Sequence, residues 1–286
     1  MDEGWAFFEA PENKSFRHKG QDVSLEDGFL LFRFAEWRAT VAGEELVFWA
    51  TAEGSDVHVH GAVKDATSEV GLERACFDQC FSENCRCGSV YPAGVHLCEF
   101  LAESKVCNAG HRVLELGAGS GLPGLWARSQ GCEVVLTDRL AGSLELMRRS
   151  IQTEKASDKV GDATVHYMHW EERPEWLSDF DLVLASDVIY GPKMAEAFFA
   201  TAAQALKPGG LLIFSYTHRA HFSGRVNADL DFESLPYATV ESMLYASKKA
   251  GFNLETDIVP AAEDTVQMFR FAQQGSPVDI PPDSKT

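Results

Sequence analysis

The sequence predicts an α/β protein whose core is a mostly parallel sheet of seven strands, preceded by a β-rich N-terminal extension. From about residue 89 onward, short apolar runs alternate with helical stretches, an order typical of a parallel sheet with helices on both faces. The last two runs have no helix between them, so we expect them to pair antiparallel. Before residue 89, β-rich runs are interrupted by Gly43, Gly54 and Gly61, as in a series of hairpins.

The strands are indicated by short apolar or β-branched runs that end at turn residues or helices. Those of the extension are expected at residues 29–37, 39–54 and 56–63. Those of the main sheet are expected at residues 111–116, 132–138, 164–170, 180–187, 211–218, 252–260 and 265–273. Residues 207–210 read KPGG, which predicts a turn before the fifth strand of the sheet.

The helices are indicated by apolar residues that recur at helical spacing, as Val95, Cys98 and Leu101 do. Pro192 suits the first turn of a helix, where its missing N–H costs nothing. Gly251 is placed to end the last helix. The expected helices span residues 91–105, 122–131, 141–155, 192–206 and 240–251.

The chain is expected to divide into three parts. Residues 1–88 form the β-rich extension, residues 89–274 the α/β domain, and residues 275–286 a polar, proline-rich tail that is disordered. The extension carries aromatic residues such as Phe32 and Phe48, which need burial, so we expect it to pack on the α/β domain.

Composition restricts the classes of partner. The chain has 43 acidic and 25 basic residues, for a net charge of -18, and the basic residues form no stripe. Nucleic acid binding requires lysine and arginine to neutralise phosphates, so a basic or lysine-bearing protein is the more suitable partner. No apolar run reaches the length of a membrane span, and the N-terminus lacks the features of a signal peptide. We therefore expect no membrane partner and a location in the cytoplasm, extending to the nucleus.

Four of the seven cysteines crowd together at Cys76, Cys80, Cys85 and Cys87. Their spacing, C-x3-C-x4-C-x-C, contains no C-x2-C pair of the kind that zinc sites use. Reduced thiols are thus favoured over a zinc site, and we expect no metal.

The strongest motif is the sequence VLELGAGSGLPG at residues 113–124, in which an apolar strand runs into a glycine turn followed at once by a helix. Glycines there let the backbone approach a ligand, and the helix start offers N–H groups to it, as in a Rossmann-like sheet. Gly119, Gly121 and Gly124 also fit the G-x-G-x-x-G dinucleotide pattern, but the strand already ends at Gly117. The longer pattern E-x-G-x-G-x-G, which starts at Glu115, resembles that of S-adenosylmethionine enzymes. We expect Glu115 either to anchor the loop or to face the amino group of the methionine moiety.

Polar residues follow two further strands at the edge where open α/β sheets bind ligands. Asp138 ends the second strand of the sheet, where a carboxylate reaches ribose hydroxyls or caps the next helix. Asp187 and Tyr190 follow the fourth strand. They are either ligand-facing residues or a turn cap with a packed aromatic.

Taken in order, these motifs resemble methyltransferase family 16, the seven-β-strand class of protein-lysine methyltransferases, over about residues 89 to 273. The resemblance implies a methyltransferase that uses S-adenosylmethionine and modifies a lysine side chain of a protein. It implies catalytic roles for Asp187 and Tyr190, the family's Asp-x-x-Tyr hallmark. It also implies cofactor contacts, beside that of Glu115, at Tyr91, Gly117, Ala118, Gly119, Asp138, Trp170 and Ser186. Tyr91 stands where the family has a tryptophan, and Trp170 is implied to flank the adenine.

Other functions share parts of this pattern. A small-molecule N-methyltransferase similar to nicotinamide-methylating enzymes, and a protein arginine or histidine methyltransferase, would use the same cofactor residues. Nucleic acid amino-methyltransferases carry two prolines where Val188 and Ile189 stand here, which argues against that class. An NAD oxidoreductase would need a second substrate domain, for which little chain is left. A non-catalytic binding module is disfavoured by the intact motif residues.

Overall fold

The computed structural model describes residues 3–9, 14–18, 21–25, 29–51, 58–60, 90–139, 141–153, 160–172, 174–217, 238–258 and 266–273. The strands of these ranges are β1 (Glu3–Glu9), β2 (Lys14–His18), β3 (Gln21–Leu25), β4 (Phe29–Val41), β5 (Glu44–Thr51), β6 (His58–His60), β7 (Arg112–Leu116), β8 (Glu133–Asp138), β9 (Ala163–Tyr167), β10 (Phe180–Ser186), β11 (Leu206–Thr217), β12 (Phe252–Ile258) and β13 (Val266–Gln273). The helices are α1 (Pro92–Ser104), α2 (Leu122–Ser129), α3 (Ala141–Thr153), α4 (Pro192–Ala205) and α5 (Val240–Lys249).

The main sheet has seven strands in the order β12-β13-β11-β10-β7-β8-β9. Strands β7 to β11 pair in parallel, whereas β13 pairs antiparallel with both β11 and β12. The strand order reverses beside β7, so the carboxyl ends of β7 and β10 flank the point where such sheets hold ligands. The predicted Rossmann-like sheet with antiparallel C-terminal pairing is confirmed.

One local prediction about this sheet is wrong. The KPGG sequence is not a turn that precedes the fifth strand, because β11 already begins at Leu206, which pairs with Phe180. The next paired residue of β11 is Leu211, opposite Leu182, so residues 207–210 form a bulge within the strand. Gly209 takes a φ of 79°, a left-handed conformation that favours glycine, which explains why the sequence there looks like a turn.

Side chains of the sheet alternate between two apolar cores, as the strand period requires. Leu114 and Leu116 of β7 face a core with α4 and α5, which is rich in phenylalanines such as Phe198 and Phe214. Val113 faces the opposite core, formed with α1, α2 and α3. Helices therefore cover both faces of the sheet.

At the start of helix α5, two backbone N–H groups are satisfied by side chains of its own first turn. The Thr239 side chain accepts a hydrogen bond from the backbone N–H of Ser242, while the Ser242 side chain accepts one from the N–H of Thr239. This reciprocal capping fixes the start of the helix without help from other elements.

The N-terminal strands form a sheet in which β4 pairs with β1, β5 and β6, beside a separate β2–β3 pair. Strands β1 to β3 were not indicated by the sequence. Strand β5 packs on α3: the Trp49 backbone N–H donates to Ser150 Oγ at 2.8 Å, and its indole N–H donates to Thr153 Oγ1 at 2.9 Å. Phe48 is buried in the same core as α1 and α2. The β4–β5 hairpin thus shares a core with the main sheet, while the boundary at residue 88 stays a prediction.

Two other expectations lie outside the described residues, namely the cysteine cluster at residues 76–87 and the tail at residues 275–286. None of the helices in the described ranges is both long enough and apolar enough to cross a membrane.

Candidate active site

The glycine loop after β7 has a left-handed backbone that residues other than glycine rarely adopt. Gly117 has a φ of 65°, and a Cβ built on it would lie 2.9 Å from Val188 Cγ1. Gly119 has a φ of 57°, and a Cβ there would meet nothing within 4 Å. Gly117 therefore allows the loop to lie against the β10 side, and Gly119 faces open space in which a ligand can approach the backbone.

Asp138 ties this loop to the end of β8. Its Oδ2 accepts a hydrogen bond from the Gly119 backbone N–H at 2.9 Å, and the Ala118 N–H donates to Thr137 O at 2.8 Å. The Asp138 side chain is largely buried but lines the cavity described below. It is therefore a carboxylate placed beside the glycine loop and at the edge of the cavity.

Glu115 anchors the start of α2. Its Oε2 accepts a hydrogen bond from the Gly124 backbone N–H at 2.8 Å. Gly121 at the N-cap has no side chain to offer that N–H, so Glu115 supplies the missing acceptor from within the sheet. Burial raises the pKa of Glu115 to about 8. Of the two roles expected for Glu115, the loop anchor is the one that its hydrogen bond supports.

A cavity of about 340 Å³ opens beside the glycine loop. Four of the residues expected from the sequence line it together: Gly117, Asp138, Trp170 and Tyr190. Trp170 is held in place because its carbonyl accepts a hydrogen bond from Thr201 Oγ1 at 2.6 Å and its ring meets Phe198 edge-to-face at 5.3 Å between centroids.

Sequence reasoning missed the rest of the cavity lining, which is formed by Arg139, Met168, His169, Glu171, Val188, Lys193, Met194 and Ala197. Half of these residues, namely Arg139, His169, Glu171 and Val188, adjoin a predicted site residue in the sequence, and that adjacency was the available signal. Lys193 and Ala197 lie one turn apart on α4, directly after Tyr190, so helical spacing from Pro192 would have pointed to this face.

Two further expected cofactor residues, Tyr91 and Ser186, lie around the start of α1. Like Glu115, Ala118 and Gly119, they are not among the residues that line this cavity. Tyr91 is the N-cap of α1. A Cβ built on Gly94 would lie 3.6 Å from Ser186 Oγ, so the start of α1 meets the end of β10. Buried Ser215 joins the two, because its Oγ lies 2.9 Å from Ala93 O and 3.1 Å from Ser186 Oγ. The Tyr-Pro-Ala segment and Ser186 are thus neighbours, as the resemblance implies.

Asp187 and Tyr190 occupy different positions after β10. Asp187 has a φ of 52°, its N–H donates to Ser215 O at 2.8 Å, and its Oδ1 accepts from the Thr217 N–H at 3.1 Å. Tyr190 is 52% exposed and lines the cavity. Asp187 is not among the lining residues. The structure therefore brings Tyr190 to the cavity and gives Asp187 a contact with β11.

No group of three or more metal-binding side chains occurs within the described ranges. Cys98, Cys107 and Cys132, the cysteines of those ranges, are free thiols.

Comparison with known proteins shows where the chain belongs. The protein N-lysine methyltransferase METTL21A of Xenopus tropicalis is 29% identical over 119 residues, which are 40% of this chain and 55% of the relative. The histone-arginine methyltransferase METTL23 of Xenopus laevis is 37% identical over 123 residues, 41% of this chain and 51% of the relative. The EEF1A lysine methyltransferase 3 of Mus musculus is 29% identical over 132 residues, 46% and 56% of the two chains.

The chain spans about half the length of these relatives. A family model for lysine methyltransferases matches residues 78–232, more than half of the chain. The matched range includes the glycine loop, Asp138, Trp170 and the Asp187–Tyr190 segment. By this match the chain belongs to the lysine methyltransferase family.

Proposed function

We propose that this protein is an S-adenosylmethionine-dependent N-methyltransferase that methylates a lysine side chain of another protein. The observation that carries the proposal is one cavity, in a member of the lysine methyltransferase family, that joins the glycine loop and Asp138 to Tyr190 at its exposed side.

The residues around the cavity suit the parts of the cofactor. Asp138 offers a carboxylate to the ribose hydroxyls, and Trp170 offers a flat apolar surface to the adenine. Gly117 and Gly119 let the backbone approach the ligand. Tyr91, Ala118 and Ser186 are the further proposed contacts, and Glu115 holds the loop in place. When bound, S-adenosylmethionine supplies a methyl group on a positively charged sulfur, which is susceptible to attack by an amine.

The protein has to present the amine neutral and aligned. A lysine side chain has an ordinary pKa near 10.4, so removing its proton at pH 7 costs roughly 4 to 5 kcal/mol. An apolar channel lowers that cost because it disfavours the ammonium form. We assign the Tyr190 ring to the wall of this channel and Asp187 to the orientation of the incoming amine, and water accepts the proton. Holding the amine nitrogen in line, within about 3 to 3.5 Å of the methyl carbon, then supplies much of the rate enhancement.

The charge of the chain supports a protein partner. With a net charge of -18, the surface attracts basic segments and repels nucleic acid. A lysine-bearing protein segment is therefore the proposed substrate, and the cytoplasm and nucleus are the proposed locations.

A second candidate is methylation of arginine. It is favoured by the relative that is named a histone-arginine methyltransferase, which is 37% identical over the aligned region. Methylation of histidine, or of a small molecule by an enzyme similar to those that methylate nicotinamide, remains a further outcome of the test.

The test has two stages. Calorimetry of the chain against S-adenosylmethionine and NADH should show binding of the first only. The chain is then incubated with a cell extract and S-adenosylmethionine that carries a labelled methyl group, and the labelled band is hydrolysed and its methylated amino acids separated. We expect methyl-lysine, with much less label when Asp138→Ala replaces the unaltered chain at a cofactor concentration below saturation. Label on arginine, histidine or a small molecule, or no binding of S-adenosylmethionine, would contradict the proposal.

A further inference from the structure

Ala238, the residue before the N-cap of α5, is held by hydrogen bonds on both of its backbone polar groups. The Tyr216 hydroxyl donates to Ala238 O at 2.7 Å, and the Ala238 N–H donates to Tyr190 O at 3.1 Å. Tyr216 and Ala238 are both almost fully buried, at 3% and 1% exposure. A buried hydroxyl of β11 is thus linked, through one residue, to the backbone of Tyr190.

This link acts on a residue whose position is weakly fixed by burial. Val188 and Ile189 are packed in the apolar core, but Tyr190 is 52% exposed and lies in a segment without regular secondary structure. Backbone hydrogen bonds therefore matter more for the placement of Tyr190 than for that of its neighbours. The hydrogen bond that Tyr190 O accepts from Ala238 is the one that Tyr216 supports.

We propose that Tyr216 is a positioning residue that sets the place of Tyr190 on the wall of the cavity. The proposal rests on the proposed function, in which the Tyr190 ring forms part of the amine channel. Tyr216 itself does not line the cavity, so it acts through Ala238 rather than by touching a ligand. Together with Thr217, whose N–H is bonded to Asp187, it makes the end of β11 the support for both residues of the Asp-x-x-Tyr motif.

Tyr216→Phe removes this support with little other change. The ring stays in the core, and only the hydroxyl that serves Ala238 O is lost. We call the hydrogen bonds from Tyr216 to Ala238 and from Ala238 to Tyr190 the clamp. The capping of helix α5 by Thr239 and Ser242 does not involve the clamp. Tyr245→Phe on α5 is a matched control, since Tyr245 is 62% exposed.

The first measurement needs no substrate. Hydrogen–deuterium exchange is followed in the unaltered chain, in Tyr216→Phe and in Tyr245→Phe. We expect faster exchange in peptides that cover residues 187–191 and 238–240 for Tyr216→Phe alone, with S-adenosylmethionine affinity by calorimetry unchanged within about twofold. Equal exchange in all three proteins would overturn the clamp. If Tyr216→Phe does not fold, Ala238→Pro removes the N–H that serves Tyr190 and is judged by exchange in residues 187–191.

The second measurement is turnover on the protein that is labelled in the extract, expressed and purified. Tyr216→Phe should lower kcat about tenfold at saturating cofactor and substrate, because displaced channel groups lose alignment. In a Tyr190→Ala background the same change should cost less than twofold, since the residue that it positions is gone. A loss that is equal in both backgrounds would show a merely structural role and overturn the proposal.

The two measurements separate this proposal from the proposed function. If the unaltered chain transfers no methyl group but Tyr216→Phe still speeds exchange in residues 187–191 and 238–240, the proposed function fails while the clamp stands. If transfer occurs and Tyr216→Phe changes neither exchange nor kcat, the clamp fails alone.

Discussion

The two walls of the cavity are built in different ways. We call the loop at residues 117–121 with Asp138 the cofactor wall. We call the segment at residues 187–190 with the end of β11 the acceptor wall, after the amine that is proposed to accept the methyl group. The cofactor wall is held by hydrogen bonds between residues that are close in sequence. Gly119 and Asp138 are 19 residues apart, and Gly124 and Glu115 are nine residues apart.

The acceptor wall is held by longer connections. Thr217 bonds to Asp187 across 30 residues, and Ser215 reaches Ala93 across 122. This wall follows β10 and the end of β11, and it is held by contacts with the starts of α1 and α5. No local pattern links these elements. The cofactor wall is thus one supersecondary unit, whereas the acceptor wall exists only after the sheet has assembled. Changes in the first should affect binding of the cofactor, and changes in the second should affect turnover.

The largest expected effect is that of Asp138→Ala on the cofactor wall. The substitution removes the acceptor of the Gly119 N–H and the proposed acceptor of the ribose hydroxyls. Loss of charge-assisted hydrogen bonds of this kind costs about 1.5 to 3 kcal/mol, so S-adenosylmethionine affinity should fall roughly ten- to a hundredfold by calorimetry. Asp162→Ala, at an exposed site remote from the cavity lining, is the control. Unchanged affinity in a folded Asp138→Ala protein would remove this residue from the cofactor site.

The contrast between the walls explains what the sequence could and could not predict. The strand–glycine–helix unit from Val113 to Gly124 is contiguous, so its pattern indicated both the fold and the ligand-facing loop. Asp138 was found because the second strand of such a unit ends beside that loop. Tyr216 and Ser215 were missed because, in sequence, they are ordinary residues of a buried strand, and only the sheet order brings them to Ala238 and Ala93.

The same reasoning accounts for the difference between Asp187 and Tyr190. Both follow the fourth strand of the sheet, so the sequence alone did not distinguish their positions. The left-handed conformation of Asp187, with a φ of 52°, turns the chain there, and its carboxylate is bonded to Thr217. No sequence rule predicts that conformation for an aspartate, although it is among the residues that tolerate it best.

A smaller effect is expected from Glu115, which tests how the cofactor wall is anchored. Because burial raises its pKa to about 8 in the folded protein, the folded state holds a proton that the unfolded state releases near pH 4.5. The free energy of unfolding should therefore fall as pH rises from about 5 to 7, by roughly 2 kcal/mol. Glu115→Gln keeps an acceptor for the Gly124 N–H but cannot ionise, so this fall should be absent.

The measurement is urea unfolding of both proteins without cofactor at pH 5, 6 and 7. The difference between their slopes isolates Glu115, because other titrating groups such as His166, whose pKa burial lowers, are present in both. Parallel slopes would mean that Glu115 is ionised in the folded protein, and that a nearby cation or the Gly124 contact offsets its burial.

The smallest effect, and the one that separates the walls most sharply, is expected at Asp187. Asp187→Ala removes the acceptor of the Thr217 N–H and puts alanine in a left-handed conformation, which costs about 1 to 2 kcal/mol of stability. Asp187→Asn keeps an oxygen for Thr217 and tolerates that conformation, so it should restore the melting temperature.

Neither substitution at Asp187 should alter S-adenosylmethionine affinity, since Asp187 does not line the cavity. If the carboxylate also orients the incoming amine, both variants should lower turnover at least tenfold, about 1.4 kcal/mol of barrier. Tyr190→Ala, which removes the ring from the proposed channel wall, should lower turnover as well. Full turnover in Asp187→Asn would limit Asp187 to its bond with Thr217 and leave Tyr190 as the one motif residue that serves the acceptor. If cofactor affinity and turnover fell together, the Asp-x-x-Tyr motif would instead be assigned to cofactor binding.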